Sequence, residues 1–267
     1  MKKFLAYMFV VFAFLITAAF QNEKDITVTE PKPGVYVLKL NTVKLKGCIR
    51  PYFVRDLTTN KDVYDYTKAR LVVNAGFFDP QNQQTISYVT VDSNLVLNPQ
   101  NNSSLVNNAV LKPYLDKIYN RSEFRILSCG GDLKYDIAPH NAPVADSCYI
   151  KHAIQGGPAL VPDLRLEEEF FILKKDGKIV SQSASSLMKY PRTAIGIKNN
   201  NVYIIIATTQ APMSLEDVAN LAKSLDMEKA MAFDGGGSTS LDYDNLHIIS
   251  DKDSSARKLK SFLIVTE

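Results

Sequence analysis

The residues that could do chemistry gather first in Asp234-Gly235-Gly236-Gly237-Ser238-Thr239-Ser240, directly after the apolar run Ala230 to Phe233. A carboxylate, three glycines and three hydroxyls stand there in series. Glycines in succession are costly to order, so such a run marks backbone that takes unusual dihedrals or is closely approached. Amide N–H groups in a turn of this kind can form a concave anion site. A carboxylate at its mouth can act as acid, base or nucleophile. The same residues also read as a glycine-rich hairpin whose aspartate bonds only its own turn.

Two other strand-like runs end in a similar way, and a third stretch opens one. Asn74-Ala75-Gly76-Phe77-Phe78-Asp79 follows Leu71 to Val73, and Gln155-Gly156-Gly157-Pro158 follows Tyr149 to Ile154. Arg192 stands after Pro191 and before the run Thr193 to Ile197. An arginine so placed can clamp a phosphate with two parallel hydrogen bonds, or it can serve in a surface ion pair. Asp79, next to Pro80, is either a second acid or a turn cap. His152 reads as structural or as a proton carrier, and His140 and His247 are expected to be exposed.

Strands must hold these stretches in place. Val35 to Leu40 is expected as a strand with Arg50 to Arg55 as partner or neighbour. Hairpins are expected around Asp92-Ser93-Asn94, Lys175-Asp176-Gly177 and Lys198 to Asn201. One helix is clear, Ser214 to Leu225: Ser214 can cap it, Glu216 and Asp217 suit its first turn, and Leu215, Val218, Leu221, Ala222 and Leu225 share a face. Lys61 to Arg70 reads as a short helix or turn, Asn98 to Ser104 as a polar loop, and Asn107 to Tyr119 as a mixed pattern broken by Pro113. Cys129 to Cys148 reads as a long loop with one short strand, and Ser181 to Tyr190 as a surface loop or lid. The outline is α+β: a single domain with a mixed, mainly antiparallel sheet of many short strands and few helices.

The 267 residues are 46% hydrophobic and 22% charged, which allows a sizeable core. A net charge of +3 with no long basic block offers no arm for nucleic acid. There is no tryptophan, so tyrosine and phenylalanine must supply any surface that stacks on a sugar. Lys2 and Lys3, the apolar run Phe4 to Ile16 and Thr17-Ala18-Ala19 predict a signal peptide over residues 1–19 and an exported protein, secreted, periplasmic or at the cell surface. The run falls short of the roughly 20 residues of a membrane span, so an uncleaved signal would be the chain's one membrane tie. Residues 20–33 then read as a tether and 34–267 as the domain. Of three cysteines, Cys129 and Cys148 either pair and leave Cys48 free, or all three are unpaired thiols. No Cys/His spacing suits zinc, and no cofactor is implied, although a divalent cation stays open.

Together, Asn74-Ala75-Gly76-Phe77-Phe78, Gln155-Gly156-Gly157-Pro158, Arg192-Thr193-Ala194-Ile195-Gly196 and Asp234 to Thr239 resemble the phosphodiester glycosidase family, with the helix before the last motif in the matching place. The resemblance covers residues 34–267. It implies hydrolysis of a sugar-1-phosphodiester, as a sugar phosphate or cell-envelope glycan, to free sugar and a phosphomonoester. It implies Asp234 as nucleophile or base, with Arg192 and the amides of Gly235, Gly236 and Gly237 on the phosphate. It further implies Asn74 as an orienting amide, and Thr193, Ser238 and Thr239 as hydroxyl donors. Gly76, Phe77, Asp79, Gln155, Gly156 and Gly157 would complete the substrate pocket. The alternative from another class is a non-catalytic module that binds envelope glycans or sugar phosphates. A metal-dependent phosphodiesterase using Asp234 and Asp79 would call for dense His/Asp clustering, which the chain lacks. The stretches 98–119 and 129–148 read as local insertions, so substrate shape does not carry over.

Overall fold

The computed structural model describes residues 24–182, 186–250 and 256–267. The expected signal segment, 1–19, lies outside them.

In chain order the strands begin with β1 (Ile26–Lys32), β2 (Val35–Leu40) and β3 (Ile49–Thr58), then helix α1 (Asn60–Thr67) and β4 (Leu71–Asn74). A hairpin of β5 (Val89–Val91) and β6 (Asn94–Leu97) leads into short helical turns that include α2 (Ser103–Val106) and α3 (Leu115–Tyr119). Next come β7 (Ser122–Cys129), β8 (Asp132–Pro139), β9 (Cys148–Gln155), β10 (Ala159–Val161), β11 (Ile172–Lys175) and β12 (Lys178–Gln182). The chain continues through β13 (Arg192–Lys198), β14 (Asn201–Ala207), helix α4 (Leu215–Ser224), β15 (Lys229–Ala232), β16 (Ser240–Tyr243), β17 (Leu246–Ile249) and β18 (Leu259–Val265).

Three sheets and the small β11–β12 ribbon result, with orders β1-β2-β14-β13-β15-β10, β17-β16-β4-β18-β3 and β6-β5-β9-β7-β8. Every ladder among the described residues is antiparallel. The architecture is therefore the expected α+β one. Strand alternation divides the apolar residues between cores. Ile204 and Ile206 of β14 face a central core shared by all three sheets, while Ile205 and Ala207 face a second core. The amphipathic helix α4 closes that second core with Leu215, Val218, Ala219 and Ala222. Its start is fixed by a capping box between Ser214 and Asp217. Helix α1 covers the outer face of the second sheet through Val63, against Val72, Phe262 and Ile264.

Four expectations are corrected. The tether 20–33 is strand β1 from Ile26 onward, with Ile26 buried against the core. Pro31 masked it, but β1 is the edge of its sheet, where a residue without an N–H is tolerated. The stretch 129–148 is not a long loop. Gly130 and Gly131, at φ of +61° and +94°, turn β7 directly into the eight-residue β8. Asn98 to Ser104 forms helical turns capped by Asn98 and Asn102 rather than a plain loop. β3 lies in a different sheet from β2. The disulfide Cys129–Cys148 is present and joins facing positions of β7 and β9, leaving Cys48 free.

Candidate active site

Antiparallel pairing brings distant parts of the sequence together. Ala194 of β13 pairs with Ala232 of β15, so the start of β13 lies beside the end of β15. Arg192 and Thr193 thereby meet the turn that carries Asp234: the Phe233 amide donates to the Thr193 carbonyl at 2.9 Å and the Gly236 amide to the Pro191 carbonyl at 2.8 Å. On the other side of β15, the Gly157 amide donates to the Ala232 carbonyl at 2.8 Å. The turn then crosses to the second sheet, where the Asp234 amide donates to the Ala75 carbonyl at 2.8 Å, just past the end of β4. Each glycine-bearing strand exit foreseen in the sequence thus ends at one place.

A cleft of about 250 Å³ opens there. Of the expected site residues, Phe77, Gly157, Arg192, Asp234, Gly235, Gly236 and Gly237 line it. Gly157 sits at φ +104°, and a side chain on it would collide with the buried carboxylate of Glu169. Glu169 accepts from the Ser122 amide and hydroxyl and from the Ala159 amide, so it braces the wall from behind.

Asp234 is reached from the cleft yet enclosed by protein. That enclosure raises its carboxyl to about 6 by desolvation, against the opposing pull of Ser238, Arg257, the Gly235 amide and Arg192. The Ser238 hydroxyl is near enough to favour the anion although it makes no regular hydrogen bond. Arg192 is 6% exposed, and burial lowers its affinity for the proton. Its Nε donates to the Met213 carbonyl at 3.0 Å and one Nη to the Met188 carbonyl at 2.8 Å, which fixes the guanidinium in the wall.

Several expected roles change. The Gly235 amide donates to Asp234 Oδ1 at 2.9 Å and the Gly236 amide to the Pro191 carbonyl, so two of the three amides assigned to phosphate are engaged by protein. The Gly237 amide has no acceptor among the described residues. Asn74 does not face the cleft. Its Nδ2 donates to the Asp234 carbonyl at 2.6 Å, and its Oδ1 accepts from the Thr193 hydroxyl at 2.7 Å and the Ser240 amide at 3.1 Å. Asn74 and Thr193 are therefore positioning residues. Gln155 is buried, accepts from the Tyr88 amide and donates to the Tyr119 and Arg121 carbonyls. Gly156 packs on the Ala232 carbonyl and Gly76 between Ser87 and Ser261, behind the wall. Asp79 accepts from the Gln81 amide at 2.8 Å, as a turn cap does. The Ser238 hydroxyl is buried beside the Asp234 carboxylate, and the Thr239 hydroxyl is buried under the turn with no regular hydrogen bond.

His152 is buried in the middle of β9, where its Nδ1 accepts from the Asp92 amide at 3.1 Å. His140, expected to be exposed, bonds Glu123 at 2.7 Å and stacks on Tyr88 at 4.0 Å. Among the described residues no three His, Cys, Asp or Glu side chains cluster as metal ligands would.

Sequence reasoning missed Arg257 and Phe171, which also line the cleft. The Arg257 guanidinium lies against Gly237, where a Cβ would stand 2.9 Å from its Nη2. Nothing in Ala256-Arg257-Lys258-Leu259-Lys260 singles it out. Phe171 packs on Phe77 with ring centres 5.7 Å apart, and the guanidinium of Arg121 lies 4.1 Å from its ring centre.

The chain belongs to the phosphodiester glycosidase family, whose model matches residues 67–266. No curated protein matches it. The catalytic domain of zebrafish N-acetylglucosamine-1-phosphodiester alpha-N-acetylglucosaminidase, auto-inhibited by its pro-peptide, is similar in fold, with a TM-score of 0.64 at 15% identity over 92% of this chain and 85% of that one. A hypothetical protein from Synechocystis gives a TM-score of 0.58 at 14% identity over 90% of this chain and 61% of that one. At these identities the likeness is one of fold.

Proposed function

We propose that this protein hydrolyses a sugar-1-phosphodiester, breaking the bond between the anomeric carbon and the phosphate oxygen. The observation that carries this reading is Asp234: an enclosed carboxylate with its pKa lifted to about 6, in one cleft with the guanidinium groups of Arg192 and Arg257. The guanidiniums and the Gly237 amide hold the phosphate and stabilise the charge that it gains on leaving. Asp234 acts as base on water or as nucleophile on the anomeric carbon. Along the base route, water's oxygen bonds to carbon, its proton passes to Asp234, and the phosphomonoester departs with the electron pair. A phosphate leaving group needs little protonation, which suits a site offering one carboxylate where ordinary glycosidases use two.

Family membership and the zebrafish relative's named activity support N-acetylglucosamine as the first sugar to try. The Cys129–Cys148 disulfide supports an exported protein, because such bonds persist in oxidising compartments. Among the described residues no helix is long and apolar enough to cross a membrane.

The test is release of sugar and phosphomonoester from a panel of sugar-1-phosphodiesters by the intact protein and by Asp234→Asn. Run in ¹⁸O-water, the reaction should place the label in the sugar. Label in the phosphate would show attack at phosphorus, with a P–O bond broken in place of the C–O bond. Turnover by Asp234→Asn near that of the intact protein would remove the proposed role. Tight binding with no product from any diester would favour the glycan-binding alternative.

A further inference from the structure

The cleft has a second lobe of about 320 Å³, within the range of small-molecule pockets. Phe77, Phe171, Asp234 and Arg257 belong to the walls of both lobes, so the two meet at the carboxylate. Apart from Arg121, Asp234 and Arg257, the second lobe is lined by apolar side chains. Its far wall is built by the short helical turns between β6 and β7, through Leu105, Leu111 and Ile118.

That wall is held firmly. Asn82 donates to Asn102 Oδ1 and to the Ser104 hydroxyl, both at 2.9 Å, and Asn102 donates to the Thr85 carbonyl at 3.2 Å. At the other end, Gln155 Nε2 donates to the Tyr119 carbonyl at 2.8 Å. Arg121, the most buried polar residue lining the lobe, already donates to the Glu169 carbonyl at 3.0 Å and the Phe170 carbonyl at 3.3 Å. A sugar ring seated here would leave most of its hydroxyls without partners, which is costly away from water. A hydrocarbon chain would instead bury apolar surface on both sides.

We infer that the second lobe receives an unbranched hydrocarbon chain on the far side of the phosphate, so that the substrates are sugar-1-phosphates esterified to a lipid-like alcohol. This rests on the reading of Asp234 and the two arginines as a site for sugar-1-phosphodiester hydrolysis. The sugar and phosphate occupy the first lobe, beside Arg192 and the turn of Gly235, Gly236 and Gly237, and the chain runs past Phe77 and Phe171 toward Leu111. Hydrolysis then releases free sugar and an alkyl phosphate.

The experiment compares methyl, butyl and octyl esters of N-acetylglucosamine-1-phosphate, all below micelle-forming concentration. The expected result is kcat/KM at least about tenfold higher for octyl than for methyl, allowing for the ordering cost of the chain. A flat series, or a glycerol ester that outruns octyl, overturns the assignment. Leu111→Trp, which fills the lobe while staying apolar, should lower the octyl rate more than the butyl rate. An unchanged octyl-to-butyl ratio would count against it. A parallel calorimetric titration with octyl phosphate and methyl phosphate requires no turnover, and octyl should bind about tenfold tighter. Octyl preference in binding with no hydrolysis of any ester would sink the hydrolytic reading and keep the lobe. Hydrolysis without chain-length dependence would do the reverse, and equal binding of the two phosphates overturns the assignment outright.

Discussion

The side-chain amide of Asn74 reaches the carbonyl oxygen of Asp234 at 2.6 Å, tying the end of one sheet to the turn that the other sheet projects. The same side chain accepts from Thr193 and Ser240, so one buried residue joins three segments. Asn74→Ala would strip all three bonds and leave buried groups unpaired, a loss of about 2–4 kcal/mol. Urea unfolding should show that loss, and kcat should fall because Asp234 is no longer held. A variant as stable and as active as the parent would contradict the positioning role.

Activity should follow the ionisation of Asp234. With its pKa near 6, the carboxylate is mostly charged at neutral pH and mostly protonated at pH 5. As base or nucleophile it works only when charged, so kcat/KM should climb as pH rises through about 6 and level off above. A profile that instead declines above this point would identify Asp234 as an acid.

Stability should respond in the opposite sense. An unfolded aspartate titrates near 3.8, whereas folded Asp234 does so at about 6. Between these values the folded state holds a proton that the unfolded chain has lost, so rising pH favours unfolding across the window and the penalty is complete above it. Asp234→Asn removes that penalty. Because water in the cleft screens the charge, the expected gain is about 1 kcal/mol at pH 7.5 and nothing at pH 3.5. Melting curves at the two pH values decide it.

The two arginines should separate on mutation. Arg257 is exposed, so Arg257→Ala should cut kcat/KM by about 10²-fold with little change in Tm. Arg192 also bonds the carbonyls of Met188 and Met213, so Arg192→Ala should lose activity and about 1–3 kcal/mol of stability together. Arg192→Lys should not rescue it, since an ammonium cannot span both carbonyls and still face the cleft.

The disulfide should matter for stability alone. Cys148 and Gln155 bound the eight-residue strand β9, so the bond lies about 20 Å from the glycine exit. It closes a loop with a sequence separation of 19, for which chain-entropy arguments give about 3 kcal/mol. Cys148→Ser should lower the urea midpoint accordingly and leave kcat unchanged.

What the sequence showed, and what it hid, follows from the physics of each signal. Glycines after apolar runs marked the strand ends that meet at the cleft, because backbone crowding leaves a mark in residue type. Side-chain direction leaves no such mark. Asn74, Gln155 and Thr193 were recognisable as site-associated, yet each turns away from the cleft to bond the frame. Arg257 stands past the last glycine motif, just before β18, and reaches the cleft only through tertiary packing. In two places a signal was present but outweighed. Asp132-Leu133-Lys134-Tyr135-Asp136-Ile137 alternates as a strand should, and Ile26-Thr27-Val28-Thr29 has the β-branched make-up of one. Neighbouring glycines and prolines obscured both.

The wall made by residues 99–119 is an excursion between two strands, fastened by side-chain amides at its edges and contributing no strand to any sheet. Asp234 and Arg192 are placed by the ends of β15 and β13, whereas the excursion is a connection between strands. Replacing its apolar side chains should retune which alcohols are accepted without touching the reaction itself, which makes this stretch the natural handle for redesign.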